Sequence, residues 1–400
     1  MDLRSGTPLW LAEPAADPPE SDLDGPLDCD VAVIGAGITG ALTAWQLARD
    51  GCDVVVLDRR EAGKGSTAAS TALIEYELDT PLVELRRSVG RARADRAYLA
   101  AADGVRRIGQ IVRESGAVCG YEEVPSVYLA SDTAAAEALP AECAARRELG
   151  LAVTTLSPAD IANRFPFPRP AALCSDHGAQ LDPVRLTAHL LRSAAAGGAR
   201  IRTGVGAAVS AIQRGDRLKL AAGGGMVTAR RAVLATGYES QAYLEASVAS
   251  LKSTYVIATS PGQPLEHWAD RCLLWETARP YLYLRTTPDA RVIVGGEDEP
   301  FADAERRDAL IPGKAALLAE RAGRLFPDID FTPAFAWAGT FAETSTGLPC
   351  ITRLPAMPEV WLALGYGGNG ITFGAVAADI ICSAIGGRRH EAEGLFPLPG

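Results

Sequence analysis

The stretch DVAVIGAGITGALTAWQLARDGCDVVVLD, residues 30–58, constrains the fold of this chain more than any other. Asp30 to Ile34 read as a short buried strand. Gly35, Gly37 and Gly40 fit the spacing GxGxxG, residues 41–50 read as a helix with Gly51 as its stop, and residues 53–57 supply a second strand that closes on Asp58. In such a β-α-β unit the first glycine permits a tight turn, the second lets backbone approach a pyrophosphate, and the third allows close helix–strand packing. Ile38 and Thr39 lie at the helix N-terminus, where unpaired N–H groups face an anion. Asp58 is placed to accept hydrogen bonds from a ribose, and Arg59 follows it. The pattern predicts a bound dinucleotide. A glycine-rich loop that only packs an α/β core is the alternative.

Three later stretches bear on which dinucleotide. GKGSTAAST, residues 63–71, offers small residues and the hydroxyls of Ser66 and Thr67 beside a flavin and its phosphates. ARRAVLATGY, residues 229–238, is an apolar strand ending in Thr236 and Gly237, a second point where the chain closes on the nucleotide. Residues 360–387 read as a strand, a glycine turn containing Gly368, Asn369 and Gly370, and a long apolar helix that continues through Ile371 and Thr372. A helix starting near Gly370 turns its positive end toward the ring edge where a reduced flavin carries negative charge. FAD is therefore preferred over NAD.

With 400 residues the chain exceeds one ordinary core, so two domains are expected. A net charge of -10 argues against a nucleic-acid partner. The eight cysteines form no CxxC pair and the four histidines no ligand spacing, so no metal site is expected. Scattered thiols suit a reducing compartment. No apolar run is long enough for an integral membrane segment. The acidic, proline-rich start lacks the features of a signal peptide, which makes the cytoplasm the expected location. Residues 1–27 read as an extended arm along the surface, with Trp10 as its anchor.

Together these motifs resemble the D-amino-acid oxidase, glycine oxidase and sarcosine oxidase superfamily of FAD-dependent oxidoreductases, from about residue 30 to residue 387. The resemblance implies an α/β fold in which a Rossmann-like FAD-binding domain is interleaved with a smaller α+β substrate domain built on an antiparallel sheet. Cut that way, the FAD-binding domain takes residues 28–115, 178–240 and 335–392, and the substrate domain takes 116–177 and 241–334. Val209 falls where the family contacts adenine.

The hairpin RPYLYLRTTPDARVIVGGEDE alternates, with Tyr281, Tyr283 and Arg285 on one face and Leu282 and Leu284 on the other. By resemblance it covers the flavin, so the tyrosines are expected to wall the substrate and Arg285 to anchor an anion. An ordinary amphipathic strand with an arginine in solvent is the competing reading. In FAWAGTFAETSTGLPCIT, relatives that act on amino acids carry a carboxylate-clamping arginine at the place of Phe341. Glu343, two residues on, suits a cation or is a plain loop carboxylate. Relatives with covalent flavin carry a cysteine at the place of Gly339, so non-covalent FAD is expected. The lysine that sarcosine-oxidase relatives set over the flavin corresponds to Ile293.

The expected reaction is oxidation of a C–N bond in a small amine or amino acid. Hydride passes to flavin N5, the imine hydrolyses, and oxygen or another electron acceptor takes the electrons. Oxidation of a 2-hydroxy acid, or a flavin-binding subunit that passes electrons to a partner protein, are the alternatives.

Overall fold

A computed structural model describes residues 2–12, 16–20, 26–223 and 225–399. Its framework is two large sheets. The first has parallel strands at its centre: Leu27–Ile34 lies between Val54–Asp58 and Gly225–Leu234, with Arg200–Thr203 and Met357–Leu364 outside them. Val31, Ala32 and Val33 are fully buried, as central strands covered on both faces must be. Val31 and Val33 pack under the helices, while Ala32 and Ile34 pack on the opposite side against Leu218, Leu220 and Leu362. The helix after the first strand spans Ile38–Arg49 and begins three residues earlier than its pattern indicates. It packs against the helices Pro183–Ala196 and Gly370–Ile385.

The second sheet has ten strands and is mostly antiparallel. Its run is Arg4–Gly6, Phe335–Thr344, Ala249–Ala258, Val292–Glu299, Leu282–Thr286, Leu273–Glu276, Glu122–Leu129, Ala172–Gln180 and Leu73–Glu75, and the tenth strand, Val153–Leu156, pairs beside this run with Ala172–Ser175. The hairpin forms as its alternation requires, with Leu284 opposite Val294 and Arg285 opposite Ile293. Leu282, Leu284, Val292 and Val294 face an apolar layer shared with Leu318 and Leu325 of the helix Ala304–Leu325. The other face of the sheet looks toward the first sheet.

A cut at residue 335 does not follow these sheets. Phe335–Thr344 pairs along its whole length with Ala249–Ala258 in the second sheet, although it stands in sequence beside segments of the first. Leu73–Glu75 also joins the second sheet, through Gly178–Gln180. Strands are sorted by hydrogen-bond partners, which sequence order does not reveal.

The N-terminal arm is more than a surface strap. Arg4–Gly6 adds an edge strand opposite Trp337–Gly339. Trp10 is buried, and its Nε1 donates to the Ser70 carbonyl at 2.7 Å. Above that ring, 5.0 Å from its centroid, lies the guanidinium of Arg285. Residues 13–15 and 21–25 of the arm lie outside the described residues.

Arg285 is fully enclosed. Its Nε donates to the Thr71 carbonyl at 2.6 Å and Nη2 to the Leu181 carbonyl at 2.8 Å, while Nη1 reaches Thr286 O and Gln180 Oε1. Burial pushes its pKa down to about 9. Truncating Trp10 to Ala should cost about 3–5 kcal/mol, and Arg285→Ala about 1–3 kcal/mol for each carbonyl left without a donor. Both variants should melt earlier in thermal denaturation, and unchanged melting in both would remove the arm and this arginine as braces.

Candidate active site

The glycine turn is dictated by close backbone approach. Gly35 has φ +115°, and a Cβ there would lie 2.4 Å from the Ala235 carbonyl oxygen. At Gly40 a Cβ would sit 1.8 Å from the Gly35 carbonyl oxygen. Gly40 thus sets helix–strand contact and does not line the cavity beside it. Gly37 differs, since an added Cβ would meet only Thr67 Oγ1, at 3.0 Å. The Ile38 N–H donates to that same hydroxyl. Gly37, Ile38 and Thr39 line a cavity of about 800 Å³ between the two sheets, with the positive end of the helix turned toward it.

Asp58 holds this end of the cavity together. Its Oδ2 accepts from the Ala36 N–H at 2.7 Å and its Oδ1 from the Arg60 N–H at 2.8 Å. Burial raises its pKa against these two donors. Arg59 and Arg60 both pair with Glu239. Val209, Thr236 and Gly237 line the same end. Ser66 Oγ donates to Tyr238 Oη at 3.1 Å. A dinucleotide fits these groups: a bare helix terminus and an open glycine for its phosphates, a carboxylate for its ribose, and a passage wide enough for its length.

Toward the second sheet, Gly368, Asn369, Gly370 and Ile371 line the cavity where the last long helix begins. Asn369 Nδ2 donates to the carbonyls of Glu75 and Glu77, and Thr372 Oγ1 to that of Glu75 at 2.9 Å. Thr372 therefore ties the helix to the strand and lies outside the lining. A Cβ on Gly339 would stand 2.8 Å from Ala69 Cβ, so a cysteine has no room there. That geometry supports the non-covalent expectation.

The second sheet supplies the remaining wall through Thr254, Trp275, Tyr283 and Phe341, with Tyr281 beside them. Tyr281 Oη donates to Asp79 Oδ1 at 3.2 Å, and Tyr283 Oη shares a hydrogen bond with Thr254 Oγ1. Both tyrosines thus stand on the one face that alternation gave them, and Phe341 lines the cavity with them. Two other expected residues do not. Arg285 shares the face of Tyr283, but its guanidinium is spent on carbonyls beneath Trp10. Glu343 lies beyond the lining and pairs with Lys252 on the neighbouring strand. Neither is placed to anchor a substrate. Ile293 is buried among Ala68, Ala69 and Trp337.

Sequence reasoning missed four carboxylates on this wall: Glu75, Glu77, Asp79 and Asp298. The alternating acids of LIEYELD, residues 73–79, were the available signal for the first three. Glu75 is buried, accepts from Ser126 Oγ, and is pushed well above the usual carboxylate range by burial and by the Glu77 charge. Ser126 accepts in turn from Trp275 Nε1 at 3.2 Å. Glu77 has Arg146 at 3.5 Å from Oε1, while its Oε2 has no hydrogen-bond partner. Arg146 is shared with Glu142, whose two oxygens also take the Leu82 and Val83 N–H groups. Asp79 accepts from the Gly368 N–H at 3.1 Å, and burial raises its pKa. Among the described residues lining the cavity, Arg59 and Arg60 are the cations, and both lie at the far end. No cluster of potential metal ligands occurs among the described residues, and no helix there is long and apolar enough to cross a membrane.

The model of a family described as FAD dependent oxidoreductase matches residues 30–384. A putative Rieske 2Fe-2S iron-sulfur protein of Bacillus subtilis is 29% identical over 176 residues, 44% of this chain and only 33% of that protein. Glycine oxidase of Geobacillus kaustophilus is 26% identical over 382 residues, covering 92% of this chain and 96% of the relative. The crystal structure of that glycine oxidase superposes with a TM-score of 0.74 over 93% of this chain and 99% of its own, at 21% identity.

The two glycines separate in their consequences. Gly37→Val should abolish FAD retention while the apoprotein still folds, because its Cβ meets only one hydroxyl. Gly40→Val should lose both, because it drives a side chain into a carbonyl. Flavin absorbance and circular dichroism of the purified variants check this, and normal FAD content in Gly37→Val would detach the motif from the cofactor.

Proposed function

The chain belongs to the DAO family of FAD-dependent oxidoreductases, and from that premise we propose that it oxidises the C–N bond of a small cationic amine in preference to an α-amino acid. FAD is the cofactor. One observation carries the substrate reading: the wall under the second sheet is lined by Glu75, Glu77, Asp79 and Asp298 together with Trp275, Tyr281, Tyr283 and Phe341, with no cationic side chain among them.

A carboxylate entering this space would face an aromatic ring and four acids. Leaving it unpaired would cost several kcal/mol, on the order of the penalty for any buried charge without a partner. An ammonium gains on the same ground, from the carboxylates and from the negative faces of the rings. The aromatic side chains exclude water and hold the substrate flat, so that the carbon bearing the nitrogen has one orientation. Gly295 contributes to that surface: a Cβ there would run into the Tyr283 ring at 2.3 Å, so the ring lies across bare backbone. Tyr283 and Thr254 share a hydrogen bond that fixes the ring's outer end. A flavin held by Gly37, Asp58 and the start of the last helix would supply the two-electron acceptor for hydride from the substrate carbon. The product imine then hydrolyses in water.

The electron acceptor is a separate matter. The described lining contains no lysine, and Ile293 is an apolar residue in a dry layer. This supports an acceptor other than oxygen.

Anaerobic mixing with a panel of amines and the matching α-amino acids tests the substrate reading. Simple amines should bleach the flavin at least about tenfold faster, a difference of roughly 1.4 kcal/mol, and acid precipitation should leave all FAD in the supernatant. Faster bleaching by glycine or alanine would overturn the reading.

A further inference from the structure

Asp298 reaches the cavity by an irregularity of the sheet. Along Val292–Glu299, Val292 and Val294 face the outer apolar layer and Ile293 faces inward. Strict alternation would send Asp298 outward with them. The pairing with Ala249–Ala258 breaks, however. Tyr255 is opposite Gly296 and Ser253 is opposite Glu299, so Thr254 alone faces Glu297 and Asp298. Two residues against one is a β-bulge, and it reverses the side on which every later side chain falls.

The bulge has a conformational cost that the surrounding structure bears. Gly296 has φ 141° and Glu297 has φ 59°, a left-handed conformation unusual for glutamate. The Glu297 carboxylate is pinned on the outer side by Arg321 and by Lys314, both from the helix Ala304–Leu325. Lys314 also holds Glu299 at 2.7 Å, so residues 297 and 299 point outward together. A Cβ at Gly296 would lie 2.2 Å from the Tyr281 carbonyl oxygen, which leaves glycine alone able to begin the bulge. Strain of this kind persists where neighbours over-determine it, and it concentrates at functional sites. Its product here is Asp298 on the cavity wall, with Oδ1 lacking any hydrogen-bond partner.

Resting on the amine reading above, we propose that Asp298 takes the proton from the substrate ammonium and so generates the neutral amine that gives up hydride. One N–H bond breaks, its electron pair stays on nitrogen, and the proton goes to Asp298 Oδ1. No redox change occurs in this step. The oxidation that follows removes a hydride from the adjacent carbon.

The surroundings suit a proton acceptor. Burial pushes Asp298 up to about 6, with a Thr254 hydrogen bond and the Lys252 charge opposing the shift and Asp79 and Glu343 adding to it. Glu75, Glu77, Asp79, Tyr281 and Tyr283 are the other titratable groups on this wall, and burial raises all five. Asp298 is thus ionised at neutral pH yet basic enough to accept a proton from a desolvated ammonium.

The test is the rate of anaerobic flavin bleaching by the best amine, followed from about pH 5 to about pH 10. In the wild type it should rise through the region near pH 6 and level off. Asp298→Asn should be slower by about a hundredfold at neutral pH and then gain about tenfold per pH unit toward the amine's own pKa. Thr254→Val, which removes a donor that favours the carboxylate, should move the lower limb to higher pH. Without turnover, binding of tetramethylammonium should weaken about tenfold in Asp298→Asn, because the cation loses one of the counter-charges of this wall. A profile or tetramethylammonium affinity unchanged in Asp298→Asn, or a slow rate with no gain at high pH, would overturn the proposal. If only amino acids bleach the wild-type flavin, the amine reading itself fails, and this assignment with it.

Discussion

Close contact between bare backbones organises this protein. The helix Ile38–Arg49 approaches its strand so nearly that a methyl group at residue 40 would enter the Gly35 carbonyl, and Gly35 in turn leaves no room beside Ala235. Only glycine allows this approach. It brings the helix N-terminus to the carboxyl ends of the parallel strands, the place where open α/β sheets bind their ligands. Asp58 then stitches the turn to the next strand through two amide donors. The cavity, the second sheet above it and the last helix beside it are arranged around this fixed point.

The second constraint is charge. Four carboxylates on one wall of a partly dry cavity repel one another and lose solvation. The protein offsets part of that cost. Arg146 is shared between Glu77 and Glu142, two backbone carbonyls of the acidic strand are held by Asn369, and Asp79 takes an amide and a phenol. Oxygens of Glu77 and Asp298 still lack partners. On the reading proposed above, a wall of carboxylates favours a cationic occupant, whereas the arginine expected to attract an anion is buried against Trp10 and committed to carbonyls. The family membership and the local electrostatics thus speak to different levels: the first to the cofactor and reaction type, the second to which substrates are admitted.

Much of this was legible from residue order. The glycine spacing, the acid closing the second strand and the glycine turn before the last helix each act through local backbone geometry, so short stretches carry them. Alternation placed Tyr281 and Tyr283 on one face of the hairpin, and Trp10 stood out as the anchor of the arm. Gly40 was read as the glycine of close helix–strand packing, and the structure gives it that place; Thr372 was read into the site with the start of the last helix. The Thr372 side chain serves a helix–strand contact instead.

What only the tertiary structure decided was environment. Arg285 lies on the face that alternation assigned it, but the partners that consume its guanidinium come from residues 71 and 181 and from the arm, far away in sequence. Phe335–Thr344 found its sheet through a partner eighty or so residues earlier, roughly the separation at which local patterns carry no information on pairing. Asp298 is the sharpest case. Period-two reasoning sends it outward, and a single extra residue in the ladder turns it inward. A sequence determines periodicity and turn chemistry because both are local. Register, burial and the sharing of charges are properties of distant segments in contact, and they exist only once the chain has folded.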